Sequence, residues 1–160
     1  MNKLTLPRLI SNGMILQRGQ NPSIGGWNRP GARVTVCFRG IEHEVVTDDT
    51  GEWKVLLDKT EAGGPYSMHI EDEEGSEITI HDILVGDVFF CSGQSNMELP
   101  MERVKDVYPI EVKNCVNPAI RTFKIMEHVD FHEPAKNLLT GEWKAAKENT
   151  ILAFSATAYF

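Results

Sequence analysis

Apolar and polar residues alternate through the first half of the chain and cease to alternate in the second. Val34, Val36 and Phe38 are separated by Thr35 and Cys37, the period of a half-buried strand. Trp53, Val55 and Leu57 repeat it, and Tyr66, Met68 and Ile70 point one way while Ser67, His69 and Glu71 point the other. In Ile41 to Thr47 the same period turns Glu42 and Glu44 toward water. Turn signals separate these runs. Ser11-Asn12-Gly13 lies between Lys3 to Leu6 and Met14 to Arg18, and Arg29-Pro30-Gly31 follows Ser23 to Trp27. Gly40, Ala62-Gly63-Gly64-Pro65 and the acidic run Asp72 to Ser76 mark further breaks, the last leading into Ile78 and Ile80. Asp48-Asp49-Thr50-Gly51 carries a hairpin signal. Seven or eight short strands with turns roughly every 8–12 residues, and no helical periodicity, predict an antiparallel β-sandwich over residues 1–82.

Residues 83–160 read differently. Ile83-Leu84-Val85 and Val88-Phe89-Phe90 are near-continuous apolar runs, as expected for a strand covered on both faces in an α/β sheet. Ile120 to Met126 is predicted as another strand, and Glu133-Pro134 to Thr140-Gly141 as a loop, with Trp143 packing beyond it. Asn149 is expected to cap a final helix starting at Thr150. Two strand candidates are too few for a doubly wound sheet. The expected fold is therefore mainly β, a sandwich followed by the truncated start of an α/β domain that ends at Phe160. The apolar surface of that second part would need cover, from the sandwich or by self-association with another copy of the chain.

Composition narrows the partners. The 160 residues are 41% hydrophobic and 24% charged, with a net charge of −7. That charge makes a nucleic-acid backbone or an anionic membrane a poor partner. No stretch approaches the roughly 18 apolar residues of a membrane-spanning helix, and the start of the chain lacks the apolar centre of a signal peptide. Acidic residues at Asp48-Asp49 and Glu71 to Glu74 fall in turns, where solvation accounts for them. Three cysteines without paired spacing suggest neither a disulfide framework nor a zinc site. Cys37 and Cys91 lie in apolar runs and are expected to be buried thiols. Asp48 to Gly51 lacks the alternating oxygen ligands of a calcium loop, so no metal or cofactor is expected.

The candidate chemistry lies in Asp87-Val88-Phe89-Phe90-Cys91-Ser92-Gly93-Gln94-Ser95-Asn96-Met97. An apolar run ends in a Gly-containing turn, and Ser95 stands on that turn between two amides. A short helix opening there would aim free N–H groups at the same spot, and a nucleophile beside such donors is what acyl transfer requires. Pro100 limits the helix to one turn, because its nitrogen cannot donate to the Asn96 carbonyl, and an irregular stretch is expected through Tyr108-Pro109. A Gly-x-Ser-x-Gly elbow is excluded by Met97. Two other readings compete: a carbohydrate-binding module using exposed Trp27 or Trp53, and a turn serine without chemistry. The alternation of Trp53 with Val55 and Leu57 favours core roles for the tryptophans.

The block Gly86-Asp87-Val88-Phe89-Phe90-Cys91-Ser92-Gly93-Gln94-Ser95-Asn96-Met97 resembles the nucleophile block of sialate O-acetylesterases and related carbohydrate acetylesterases of the SGNH hydrolase superfamily. Ser11 to Arg18, Asp49 to Trp53, Ala62 to Tyr66 and Phe154 to Phe160 resemble further segments of that family in the same order, so the likeness covers nearly the whole chain. The resemblance implies a secreted or periplasmic hydrolase that removes O-acetyl groups from sugars, notably sialic acids. It implies a β-domain ahead of an SGNH-type α/β domain, with Ser95 as nucleophile and oxyanion donor, activated by a histidine that an aspartate orients. The family's Asp-x-x-His block is not found. Asp130-Phe131-His132 is one residue too short, so His128 and His132 are read as loop residues, and His43, His69 and His81 as exposed strand residues. Without the partners of Ser95, this chain is expected to be nearly inactive.

Overall fold

The structure is a computed structural model that describes residues 3–125 and 135–160. It forms two compact units, one from the described residues of Met1–Val88 and Ile125–Glu142, the other from Phe89–Lys124 and Trp143–Phe160. The expected mainly β character holds. The first unit has seven strands: β1 (Ile15–Gln17), β2 (Ser23–Trp27), β3 (Arg33–Phe38), β4 (Ile41–Val46), β5 (Glu52–Leu56), β6 (Gly63–Asp72) and β7 (Glu77–Gly86). Five form a sheet in the order β1-β7-β6-β3-β4, and β2 pairs with β5 in a second sheet.

The alternation seen in the sequence is the burial pattern observed. Val34, Val36 and Phe38 are buried, as are Trp53, Val55 and Leu57, Met68 and Ile70, and Ile80. Glu42 and Glu44 face water on β4. Of the expected strand Lys3 to Leu6, the described structure retains one bridge, Thr5 to Trp27. Three further features depart from expectation, each because pairing is decided by distant chain. First, β1 runs parallel to β7, an arrangement that needs a long connection; the five intervening strands supply it. Second, Asp48 to Gly51 is not a hairpin turn, because β4 pairs with β3 and β5 with β2. The Asp48 Oδ1 accepts from the Thr50 and Glu52 N–H groups, both at 2.9 Å, which closes the turn upon itself. Such turn chemistry sets a local bend and leaves the choice of partner strand open. Third, Ile83-Leu84-Val85 belong to β7, between β6 and β1. Two flanking strands and cover over Leu84 explain the continuous apolar run without an α/β sheet.

The segment Ser11 to Arg18 lies along the end of β7 and matches it group by group. Asn12 Oδ1 accepts the His81 N–H (2.8 Å), Gln17 Oε1 accepts the Val88 N–H (2.8 Å), and Arg18 Nε donates to Asp87 Oδ1 (2.8 Å). The stem of the Ser95 loop is thereby tied to β1 as far as Val88.

The acidic turn after β6 is more than solvated charge. Asp72 is buried, and its Oδ1 accepts from Glu74 and Ser76 N–H groups at 3.0 and 2.9 Å. Its Oδ2 accepts from the Nδ2 of Asn28, which is also buried and follows β2 (2.9 Å). Arg29 pairs with Glu73 and Glu74, both at 2.6 Å. Burial pushes the Asp72 carboxyl up, but the donors of Asn28, Ser76 and Glu74 outweigh it and hold the group below the usual carboxylate range. The bonds therefore stabilise the fold in full at neutral pH, and their contribution is lost as pH falls through the depressed native value, below about pH 4. Asp72→Asn should cost about 1–3 kcal/mol at pH 7, because its amide would face the Asn28 amide donor to donor. Urea unfolding checks this, with the gap between the two proteins expected to narrow near pH 3. An equal gap at both pH values would refute the assignment.

The second unit is built from short pieces: α1 (Ser95–Glu98), α2 (Met101–Val104), α3 (Pro109–Lys113), β8 (Val116–Phe123), β9 (Trp143–Lys147), a 3₁₀ turn (Ile151–Ala153) and α4 (Ala156–Tyr159). Met101, Cys115, Ala146, Ile151, Phe154 and Ala156 form its core. Trp143 packs as expected, with its ring 5.5 Å from that of Phe123. The stretch expected to be irregular through Pro109 contains α2 and the start of α3. Val88 to Phe90, expected as a covered strand, is not one: Phe89 is 80% and Phe90 90% exposed. A strand forms only where a neighbouring strand takes up its backbone groups, and among the described residues only the Val88 N–H is taken up here, by the Gln17 side chain. Cys91 is exposed and Cys37 half-buried, while Cys115 is the buried thiol. The expected burial of Cys91 failed with the strand that carried it, and Cys37 lies on the outer face of β3.

Candidate active site

Ser95 opens α1, a single turn closed by the Gln94 carbonyl, which accepts from Met97 N–H (2.9 Å) and Glu98 N–H (3.1 Å). Gly93 permits the tight approach to this turn, since a Cβ there would lie 3.0 Å from the Cβ of Met97. As expected from Pro100, the helix stops after one turn. The Asn96 carbonyl, which a helix would have paired with residue 100, instead accepts the Thr157 hydroxyl at 2.8 Å. A side chain of α4 thus replaces the donor that proline lacks. The Ala156 N–H donates to the Leu99 carbonyl (2.8 Å), and the Met101 N–H to the Phe154 carbonyl (2.9 Å). The serine turn is consequently braced along its length by the segment Phe154 to Thr157.

The brace has its own cap. Ser155 Oγ accepts the Ala158 N–H at 3.2 Å and donates to Met97 Sδ at 3.6 Å. Asn149 does not cap a helix from Thr150 as expected. The Thr150 hydroxyl bonds back to the strand β9, where the Lys147 N–H donates to it at 3.0 Å, and only the 3₁₀ turn follows. Ser155→Ala should cost about 1 kcal/mol through loss of the N-cap. Faster amide exchange at Ala158 would register it, and unchanged exchange would show that the cap contributes nothing. The Thr157 bond and the Ser155 contact with Met97 escaped the sequence reading because both join residues about 60 positions apart. The Ser155 cap on Ala158 is local, and the expectation of a helix from Thr150 passed over it. The missing N–H of Pro100 was the available signal that some donor would be needed.

Ser95 is exposed, and among the described residues its hydroxyl makes no hydrogen bond. The N–H groups of Ser95 and Asn96 lie in the first turn, where a helix has no internal acceptor for them. This is a reachable hydroxyl beside N–H groups of the first turn. No histidine occurs among the described residues of its unit. His81 is exposed and His43 and His69 are half-buried, all on strands of the other unit; His69 Nδ1 lies 3.1 Å from Thr79 Oγ1 and His81 Nδ1 3.3 Å from Ser67 Oγ. His128, Asp130 and His132 lie outside the described residues. Among the described residues, no cluster of His, Cys, Asp and Glu could hold a metal ion, and no helix is long and apolar enough to cross a membrane. Trp53 is 4% exposed and fills the core as expected, whereas Trp27 is half-buried.

No family model matches the chain. It is 33% identical over 126 residues to sialate O-acetylesterase of Mus musculus, covering 72% of this chain and 23% of that protein. The Homo sapiens sialate O-acetylesterase is 33% identical over 105 residues, covering 59% of this chain and 20% of the relative. The chain thus spans about a quarter or less of the length of these relatives. Among solved structures, a carbohydrate acetylesterase from Xanthomonas citri superposes with a TM-score of 0.92 and 38% identity, covering 98% of this chain and 36% of that one. An exposed serine on a braced single turn, together with identity over most of the chain, has one consistent explanation: the chain belongs to the sialate O-acetylesterase family.

Proposed function

We propose that Ser95 is the nucleophile of an SGNH-type serine esterase that removes acetyl groups from O-acetylated sugars, sialic acids among them. The serine oxygen attacks the acetyl carbonyl carbon and its proton passes to a base; the sugar oxygen leaves carrying a proton, and acetyl-Ser95 remains. Water then adds to the acetyl group, releasing acetate and restoring the hydroxyl. The N–H groups of the first turn are suited to the negative charge that develops on the carbonyl oxygen.

The observation that carries this reading is the exposed, braced position of Ser95 in a chain 33% identical to sialate O-acetylesterases. The base is to be a histidine, as the family resemblance implies, and the relatives are long enough to hold one beyond the matched part. The 160 residues by themselves are therefore proposed to hydrolyse acetyl esters poorly, since a serine hydroxyl without a base is a weak nucleophile at neutral pH. The test compares acetate release from an O-acetylated sialic acid by these 160 residues and by the natural protein that carries them, each with Ser95 and with Ser95→Ala. Activity in the natural protein that disappears with Ser95 supports the reading. Activity that survives the substitution overturns it, and equal activity in the 160 residues overturns the need for a further base.

A further inference from the structure

The β2–β5 sheet turns one face to the core and leaves the other open. Ile24 and Gly26 of β2 are buried, so Ser23, Gly25 and Trp27 face outward. Across the ladder Gly25 is opposite Lys54 and Trp27 opposite Glu52, which places all four on the same outer face. Gly25 leaves a gap in that row of side chains. A Cβ there would lie 2.6 Å from the Trp53 carbonyl oxygen, so the gap is enforced by the backbone packing. The result is a groove of about 490 Å³, bounded by Trp27, Glu52, Lys54 and Lys136, with Pro7 at its edge.

The polar groups around this groove are only partly engaged. Glu52 Oε1 receives both the Trp27 indole N–H and the Lys136 ammonium, each at 3.4 Å. These two bonds are long, and Glu52 Oε2 has no partner among the described residues. Lys54 makes no ion pair among the described residues. Asp48, also at the groove, engages its Oδ1 with the Thr50 and Glu52 N–H groups and the Thr50 hydroxyl, so two lysines stand beside two carboxylates, Glu52 and Asp48. The groove thus combines an aromatic surface, a carboxylate with a spare oxygen and two lysine donors beside the gap in the side-chain row at Gly25. An aromatic surface with a few convergent polar groups suits a small ligand, and the volume is within the range of small-molecule sites.

We propose that this groove, on the unit that does not carry Ser95, binds a pyranose sugar. The apolar C–H face of the ring would lie against the Trp27 indole. Glu52 would accept from ring hydroxyls, Lys136 would donate to them, and Lys54 would be available to a sugar carboxylate. The choice of a sugar over other small ligands rests on the proposed carbohydrate esterase function, for which such a site would retain glycan near the enzyme. An open groove with one aromatic wall holds its ligand weakly, in about the millimolar range.

The test uses the 160-residue chain carrying Ser95→Ala, so that catalysis plays no part and failure of the esterase reading would leave the binding result intact. Methyl β-galactoside and the methyl glycoside of N-acetylneuraminic acid are titrated separately while the Trp27 indole N–H and the Gly25 amide are followed by ¹⁵N NMR. The expected result is a saturable shift of both signals with at least one sugar. The Gly25 shift should be lost in Trp27→Ala and weakened at least fivefold in Lys136→Ala, whose exposed site leaves the fold intact. Preference for the sialoside that disappears in Lys54→Ala would assign the carboxylate to Lys54. Absence of a saturable shift with both sugars, or affinity unchanged by Lys136→Ala and Trp27→Ala alike, would overturn the proposal.

Discussion

Ser95→Ala, made in the natural protein that carries this sequence, should lower kcat for acetyl release by about a thousandfold or more while leaving stability within about 0.5 kcal/mol. The exposed hydroxyl has no hydrogen bond among the described residues, so its removal costs the fold nothing there. The bonds that shape the turn are made by the backbone of Gln94, Asn96 and Leu99, and alanine preserves them. A large loss in kcat beside an unchanged unfolding midpoint is the signature of a group used only in the reaction. Were Ser95 merely a turn residue, kcat would persist. Were it structural, the midpoint would move together with kcat.

Phe154→Ala is expected to have the largest effect on stability, about 3–5 kcal/mol for the serine-bearing unit. Phe154 is 3% exposed, and the buried core around it among the described residues is small, Met101, Cys115, Ala146, Ile151 and Ala156, with Val104, Val112, Leu152 and Tyr159 packed against it. A core this small cannot close over the space left by a phenyl ring. The loss should fall on the unit that holds Ser95, because the Phe154 to Thr157 segment braces its turn. Amide exchange measures this site by site: Met101 and Ala156 should exchange far faster, while Val36 and Ile70 in the other unit keep their protection. A loss below 1 kcal/mol would show that the ring is not the centre of that core.

The extent to which all this was legible in the sequence differs between the units. In the first, period-two alternation named the buried faces of β3, β5 and β6 residue by residue, because each face is decided by whether a side chain meets water or core. In the second, the Ser95 turn and its single-turn length followed from Gly93 and Pro100, whose effects are local. The failures share a cause. Val88 to Phe90 has the composition of a covered strand, but strand formation depends on neighbours that no local pattern supplies. Asp48 to Gly51 has hairpin chemistry, yet the strands on either side of it pair elsewhere.

The sequence by itself therefore determined which residues of β3, β5 and β6 face inward, where the chain turns and which serine opens the short turn after Gly93. Those properties depend on side-chain hydrophobicity and on the conformational limits of glycine and proline over a few residues. Tertiary structure alone decided that β1 would run parallel to β7, that Asn28 would meet a buried Asp72, that Thr157 would replace the donor Pro100 lacks, and that Gly25 would open a groove beside Trp27. Each of these joins groups far apart in the chain, and the free energy that selects them arises only when distant segments desolvate against one another.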